Sequence, residues 1–430
     1  MDDGDDEHWT MFCIPTHRRF HRLPASYGID QKLLCLRTLA TATTVVPDSK
    51  ASRAQISSNE ELATIVHQFP PTVDYAFGYG SGVFRQQSPF PSSLHTTDGK
   101  ANARDLSTTS SSMIDIILAV TDPYSWHKRN MERHSDHYSA LARWGGPRFV
   151  TRLQVNFGAK LYFHPFVNMA IDMTRTHLQP SMVQRQIKYG VVSTNDLIHD
   201  LVDWEYLYLA GRMHKPTVSI DLSSTNDPDG LNAEPKLHDA KQEVEEAQRI
   251  NLLSAVSASL LLQPSMSTQI LPASHLYNTI ASLSYTGDFR MHAGAEDPNK
   301  IKKLVETPGM MERWDEVYSE TLSNMEKLGV LSVLSNDDAS RCIEISLLDR
   351  ATRKQLVKNL PRRLQKHSDL IVGADDTKSL HNGSNVLRHE LANIVSPAAK
   401  SQSMKGFLTA GVGKSWKYAV AKFAKGRLRK

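Results

Sequence analysis

Cysteine is scarce in this chain of 430 residues: Cys13, Cys35 and Cys342 are odd in number, far apart and without a Cys-x-x-Cys pair. That excludes a disulfide framework and a structural zinc ribbon, and predicts reduced thiols. Long apolar runs are lacking as well. The longest candidate, Leu252 to Leu262, is interrupted by serines. It falls short of the roughly eighteen residues of a membrane span, so the chain is expected to lie on a membrane but not to cross one. Charge of one sign is also lacking, since 50 basic side chains against 46 acidic ones leave a net charge of +4. Bulk charge therefore points to no partner, and the ordinary apolar content of 40% places the chain among globular proteins. Its length allows two or three domains, each with a core.

Two familiar phosphate motifs are absent from the stretch richest in closely spaced glycine. In Asp74 to Gln87, DYAFGYGSGVFRQQ, no lysine follows the last glycine as a Walker loop requires, and the glycines are too closely spaced for the dinucleotide fingerprint. What is there is Gly78, Gly80, Ser81 and Gly82 directly after a short aromatic and apolar run. The order predicts a strand running into a tight turn. Glycines without Cβ let backbone N–H groups face an anion, and the serine hydroxyl adds a donor. This suits a nucleotidyltransferase, in which such a turn grips a triphosphate and a following strand brings carboxylates to Mg²⁺; a plain turn is the alternative.

Along the chain, Met1 to Glu7 carries five acids, whereas Met11 to Tyr27 has Arg18, Arg19 and Arg22 and no acid. The second segment fits a mitochondrial presequence and the first does not, so either the acidic tip is tolerated or synthesis starts at Met11; a plain tail is the alternative. Residues 1–57 are taken as this leader. ELATIVHQF has helical spacing and stops at Pro70-Pro71. Residues 88–112 form a Ser-rich insert, and 58–222 a first domain around it. The polar run Asp221 to Pro235 is the expected boundary, followed by a helical or winged-helix domain over 236–350, with helices over Gln242 to Leu262 and Leu271 to Leu283, and by a C-terminal region over 351–430.

Met113 to Val120, MIDIILAV, is a strand-length apolar run whose only charge is Asp115. A carboxylate in a buried strand costs several kcal/mol unless a cation or dense hydrogen bonding compensates it, so Asp115 is the candidate catalytic and metal ligand. A second acid two residues on would share its face, but that position is Ile117. Asp122 is the nearest substitute, as metal ligand and catalytic residue or simply as a cap before Pro123, with Asp200 or Asp203 as later candidates or helix-surface acids. WHKRNMERHSDHY predicts a polar helix whose His127, His134 and His137 lack metal-site spacing and suit a solvated or phosphate-facing surface. Helix is expected over Asn195 to Gly211. Lys188 and Lys215 are candidates for phosphate charge, or surface lysines, and Asp288 and Arg290 lie in a turn-rich segment suited to phosphate from the far side of a cleft.

From Met404 to Lys430 there are eight basic residues and no acid. On a helical wheel Val412, Trp416, Ala419, Val420 and Phe423 share one face, with Lys414, Lys417, Lys422, Lys425 and Arg429 spread over the other. That predicts an interfacial helix on an anionic membrane, with Trp416, Phe423, Lys414 and Lys417 as contacts; an RNA-binding helix is the alternative.

Taken together, YAFGYGSGVFRQ, MIDIILAVTDPYSWHKRN, IKYGVVSTNDLIHDLVDWEYLYLAGRMHKP, LSYTGDFRM with EDPNK, and KGFLTAG resemble the mitochondrial translocator assembly and maintenance family from about Phe69 to Lys430. Members are phosphatidate cytidylyltransferases of the matrix face of the inner membrane. The resemblance implies an α/β (α+β) protein: a nucleotidyltransferase-fold domain, a second helical or winged-helix domain and a C-terminal amphipathic helix. It also implies CTP and phosphatidate in the bilayer as substrates, Mg²⁺ as cofactor, CDP-diacylglycerol for cardiolipin as product, and no nucleic acid partner. By motif it places Gly80, Ser81 and Gly82 in the nucleotide-binding turn and Asp115 on the metal-binding strand, with Asp122, Asp200, Lys188, Lys215, Asp288 and Arg290 in family segments. Two other readings stay open: a nucleotidyltransferase acting on RNA or protein, and a non-catalytic translocase assembly factor.

Overall fold

The structure is a computed structural model that describes residues 59–84, 113–172, 182–222, 234–263, 267–292, 297–335, 341–346 and 348–410. These all belong to one unit, Val45–Lys430. The leader, the Ser-rich insert, and Trp416, Phe423, Lys414 and Lys417 lie outside the described residues.

A helix over 59–66, α1, stops short of Pro70-Pro71 and delivers the chain into β1 (Tyr75–Tyr79). A five-stranded sheet is then built from β1, β2 (Ile114–Val120), β3 (Tyr162–Asp172), β4 (Met182–Ser193) and β5 (Thr217–Ser219), in the order β3-β4-β2-β1-β5. Only β2 and β4 pair in parallel. That pairing needs a long crossover, which is supplied by α2 (Pro123–Arg133), α3 (Ala140–Asn156) and β3. Helix α2 starts where Asp122 caps the Tyr124 N–H and Pro123 presets the first turn. Helix α3 is kinked at Gly146, whose φ of 68° a Cβ would disfavour, and Pro147 opens its second half.

Alternation along the strands sends their side chains to two cores. Ala76, Ile116, Leu118, Ile187, Tyr189 and Val191 face α1, Phe69 and Trp126. Tyr75, Phe77, Ile117, Ala119 and Val192 face the other way, toward α4 (Thr194–Asp203), the short α5 (Ala210–Met213) and the 28-residue α6 (Glu234–Leu261). Helix α6 carries that second core onward to α7 (Ala273–Leu283), α8 (Phe289–His292), α9 (Lys300–Glu306) and α10 (Met310–Lys327), and to a three-stranded antiparallel sheet, β6-β8-β7 (Gln269–Pro272, Arg341–Ile345, Leu331–Ser335). The polar run at 221–235 therefore does not separate two cores. One continuous core crosses it, because α6 packs on β1 and also on α7 and α10, the helices that cover the three-stranded sheet.

Three short helices, α11 (Arg350–Asn359), α12 (Arg362–Gln365) and α13 (Ser368–Val372), lead to α14 (Thr377–Ala410). The last turns of α14 dock on the end of α3. Gln402 accepts the Ala159 N–H at 3.1 Å and donates to the Leu161 carbonyl, while Lys405 donates to the carbonyls of Gln154 at 3.1 Å and of Phe157. Lys405 is 1% exposed, and burial lowers its pKa to about 7. The expectation of a membrane-facing helix from Met404 is thus corrected at its start, since this amine is desolvated by protein and satisfied by two carbonyls. Among the described residues no helix is long and apolar enough to cross a membrane.

Candidate active site

The site forms where the end of β1, the start of β2 and the middle of β4 lie side by side. Antiparallel pairing sets Tyr79 opposite Asp115, and parallel pairing sets Asp115 beside Lys188. Lys188 donates to Asp115 at 3.1 Å and stands 4.4 Å from the centre of the Phe163 ring. The cation that compensates the carboxylate in this apolar strand is therefore a lysine from the neighbouring strand. Burial works against the Lys188 ammonium, but the Tyr79 oxygen and the Asp115 carboxylate outweigh it and raise its pKa.

After β1 the chain turns sharply. Gly80 takes φ of 79°, and the N–H groups of Val83 and Phe84 both donate to its carbonyl at 3.1 Å. A Cβ on Gly82 would stand 2.1 Å from the Met113 carbonyl oxygen, so only glycine lets the turn close onto the start of β2. A Cβ on Gly80 would lie 3.7 Å from the Asp115 carboxylate. The turn, with Ser81 exposed on it, thus borders the carboxylate.

Positive charge collects beside this pair. Arg212, in α5, is ringed by aromatic side chains, its guanidinium carbon 4.1 Å from the Tyr208 ring centre, 5.3 Å from Tyr79 and 5.8 Å from Phe163. It donates to the Tyr208 carbonyl at 3.0 Å, but its Nε is buried without an acceptor. The Tyr79 hydroxyl, buried and itself without a partner of good geometry, lies close enough to the guanidinium to feel its charge. No carboxylate among the described residues pairs with Arg212. Lys215 donates to the Gly211 carbonyl and to Ser284 Oγ at 2.9 Å, and its Nζ and that of Lys300 stand 5.1 and 5.2 Å from the Tyr285 ring centre. Burial, then Arg212 and Lys300, lower the Lys215 pKa to about 7. Tyr208 registers the same field: burial pushes its hydroxyl up, but Arg212, Lys188 and Arg290 outweigh that and bring it down. Such a concentration of cations, held in a partly desolvated place with donors unfilled, is suited to a polyanion.

The structure brings together Gly80, Ser81, Gly82, Asp115, Lys188 and Lys215 from the sequence reading, with Arg290 reaching the cluster through Tyr208. Asp288 is fully buried and accepts Arg290 Nη2 at 2.6 Å and Nε at 3.0 and 3.1 Å, so it orients a cation rather than facing a ligand. Two acids are corrected. Asp122 lies at the far end of β2 from Asp115, about 20 Å away at the rise of a strand, and is used as the cap of α2 through Tyr124 N–H and Ser125 Oγ. Asp200 is buried and accepts the N–H groups of Tyr206, Tyr208, Leu209 and Ala210, so its oxygens hold the loop that carries Arg212.

The histidines are corrected as well. His127 is buried, bonded to Tyr138 Oη at 2.9 Å and Gln154 Oε1 at 2.8 Å, and burial lowers its pKa to about 4; His134 and His137 stack at 4.7 Å. They belong to the packing on the opposite face of the sheet. Sequence reasoning left Arg212, Tyr79, Tyr208 and Tyr285 out of the site, whereas Lys300 lay in the turn-rich segment already suited to phosphate. A usable signal was present, because 206–220 holds Arg212, His214 and Lys215 with no acid.

Among the described residues no group of three or more His, Cys, Asp or Glu could hold a metal by itself. Mg²⁺ commonly takes only one or two carboxylates and completes its shell with substrate phosphates and water. A lone Asp115 beside the glycine turn fits that donor set, provided a triphosphate brings the rest.

Residues 62–425 match the family model described as "Phosphatidate cytidylyltransferase, mitochondrial". Relatives bearing that name include one from Bos taurus, 33% identical over 386 residues that cover 87% of this chain and 97% of the relative. One from Caenorhabditis briggsae is 30% identical over 371 residues, 85% of this chain and 98% of the relative. One from Schizosaccharomyces pombe is 30% identical over 385 residues, 86% and 84% respectively.

Proposed function

The chain belongs to the mitochondrial phosphatidate cytidylyltransferase family, and we propose that it joins CTP to phosphatidate, giving CDP-diacylglycerol and diphosphate, at the cluster around Asp115 and Arg212. It is an enzyme of the nucleotidyltransferase class. The observation that carries the assignment to this site is the set of partly buried basic groups, Arg212 and Lys215 above all, that stand without carboxylate partners beside the glycine turn and the Asp115–Lys188 pair. The five-stranded sheet would form the nucleotidyltransferase domain. The succession β6, α7 to α10 and the β7–β8 hairpin supports a winged-helix reading of the second half.

A phosphate monoester loses its second proton near pH 6, so phosphatidate arrives largely as a nucleophilic oxyanion and needs little help from a base. One of its oxygens attacks the α-phosphorus of CTP, the bond from that phosphorus to the bridging oxygen breaks, and diphosphate leaves with the electron pair. The obstacle is repulsion between two anions. Backbone N–H groups of the turn and Ser81 would receive the triphosphate, Lys188 and Arg212 would meet the charge growing at the reacting phosphate, and Lys215, Lys300 and Arg290 would hold the leaving diphosphate. Asp115 would hold Mg²⁺, which when bound supplies further neutralisation of triphosphate charge, and Lys188 would then be released toward substrate. The relatives' mitochondrial name supports a place in the mitochondrion and the basic C-terminal sequence supports peripheral contact with an anionic membrane; the matrix face of the inner membrane and the route to cardiolipin are the placement we propose.

Purified protein given α-labelled CTP and phosphatidate vesicles should form labelled CDP-diacylglycerol and diphosphate in equal amounts. Arg212→Met should lose that activity by about a hundredfold or more, the worth of two charged hydrogen bonds. Transfer of label to RNA or protein, with phosphatidate inert, would overturn the reading.

A further inference from the structure

A second feature of the molecule has no part in the cluster just described. Helix α3 exposes Leu141 and Trp144 before its kink and Val155 near its end; Trp144 is 88% exposed, where a side chain of that size is normally at least half covered. Around them Arg143, Arg148 and Arg152 are exposed, and α3 contains no acidic residue. Trp144 directly precedes Gly145, Gly146 and Pro147, where the backbone turns a corner at a φ of 68°, so it stands at a protruding elbow. No Cβ at Gly146 would touch anything.

The same helix anchors the C-terminal region. Lys405 and Gln402 of α14 bind residues 154–161, and a Cβ on Gly158 would meet Gln402 Oε1 at 2.4 Å, so the junction is closely fitted. Met404, one residue from the latch, is 56% exposed. From this docked end the chain continues into 411–430, whose sequence has seven basic residues and no acid.

We propose that the α3 elbow, with Trp144 and Leu141 entering the headgroup region and Arg143, Arg148 and Arg152 on lipid phosphates, is a membrane-docking surface of this enzyme for an anionic bilayer. The proposal deepens the preceding reading and rests on it in one respect, that the substrate lies in a bilayer. Tryptophan favours the interface because its ring is apolar and its N–H polar, and guanidinium groups add attraction to anionic lipid without desolvating a carboxylate partner. Latching the last described turns of α14 to the end of α3 ties the start of the basic C-terminal sequence to the same helix that carries the elbow, and two contacts held by one rigid body bind together more tightly than either alone.

The test uses the full chain and vesicles of phosphatidylcholine with 30% phosphatidylglycerol, against phosphatidylcholine alone. Trp144→Ser should weaken sedimentation with the anionic vesicles by roughly tenfold or more, through lost apolar burial. Arg148→Gln with Arg152→Gln should weaken it about fivefold for each charge, and less at high salt. Acyl-brominated lipid should quench the wild-type fluorescence more than that of Trp144→Phe, which keeps most of the binding. Turnover of short-chain dispersed phosphatidate should be unchanged in all of these variants. Normal vesicle binding by Trp144→Ser, or a Trp144 signal untouched by brominated chains, overturns the proposal, as does Trp144-dependent retention on single-stranded RNA without vesicle binding. If no variant or wild-type protein converts any phosphatidate while vesicle binding still depends on Trp144, the catalytic reading fails and this surface stands.

Discussion

Lys215 should take up a proton when a triphosphate binds. Its pKa is lowered from 10.5 to about 7, by burial first and then by the charges of Arg212 and Lys300. At pH 8 a group with that pKa is only about one-tenth protonated. A polyanion lodged against the amine supplies attraction where there was repulsion, which returns the group toward the ordinary lysine range and full protonation. Binding of CTP at pH 8 should therefore take up about 0.9 proton at Lys215. The nucleotide itself contributes little there, since its last phosphate proton is lost near pH 6. Calorimetric titration in buffers of different ionisation enthalpy reads the number directly as the slope of observed against buffer enthalpy.

Lys215→Met should flatten that slope and weaken CTP by about ten- to a hundredfold, the worth of a charged hydrogen bond. Lys405→Met is the control, because Lys405 also has its pKa lowered to about 7 but lies in the α14 latch. In the free protein the sign is fixed by linkage. With a folded pKa below the unfolded one, Lys215 costs stability below about pH 7, and the cost is relieved as pH rises toward 10.5. A binding enthalpy independent of buffer, or a slope that survives in Lys215→Met, refutes the argument.

Asp115→Asn should lower product formation by two to three orders of magnitude while near-ultraviolet dichroism stays native, because volume is kept and Lys188 can reach solvent; full turnover at normal Mg²⁺ would remove Asp115 from the mechanism. Asp200→Asn should instead cost stability, about 2 to 4 kcal/mol in denaturant melts, since an amide cannot accept all four N–H groups that the carboxylate accepts. Asp122→Ala should cost about 1 kcal/mol as a lost cap and leave kcat of the folded enzyme unchanged, and a selective loss of kcat would restore it to the site.

Local chemistry was legible in the one-dimensional pattern wherever neighbours along the chain decide the outcome. Pro70-Pro71 stopped a helix, the glycines of 78–82 required a turn, and an apolar run with one acid marked both strand β2 and its candidate carboxylate, because backbone sterics and desolvation act within a few residues. Asp122 was legible as a cap for the same reason. Other outcomes depended on which distant groups became neighbours. Lys188 compensates Asp115 only because β2 and β4 pair in parallel at one register, 73 residues apart. Arg212 and Lys215 became uncompensated cations only when β1, α5 and the turn after α7 met around Tyr79 and Tyr285. His127 and Lys405 read as solvated charge in polar or basic runs, yet both are buried, since Tyr138, Gln154 and the end of α3 supply partners that periodicity cannot reveal. The sequence determined the elements and the class of chemistry. The tertiary structure decided which charges are paired and which are left for substrate, because a charge in a desolvated place is set by everything within a few ångströms of it, whatever the separation in sequence.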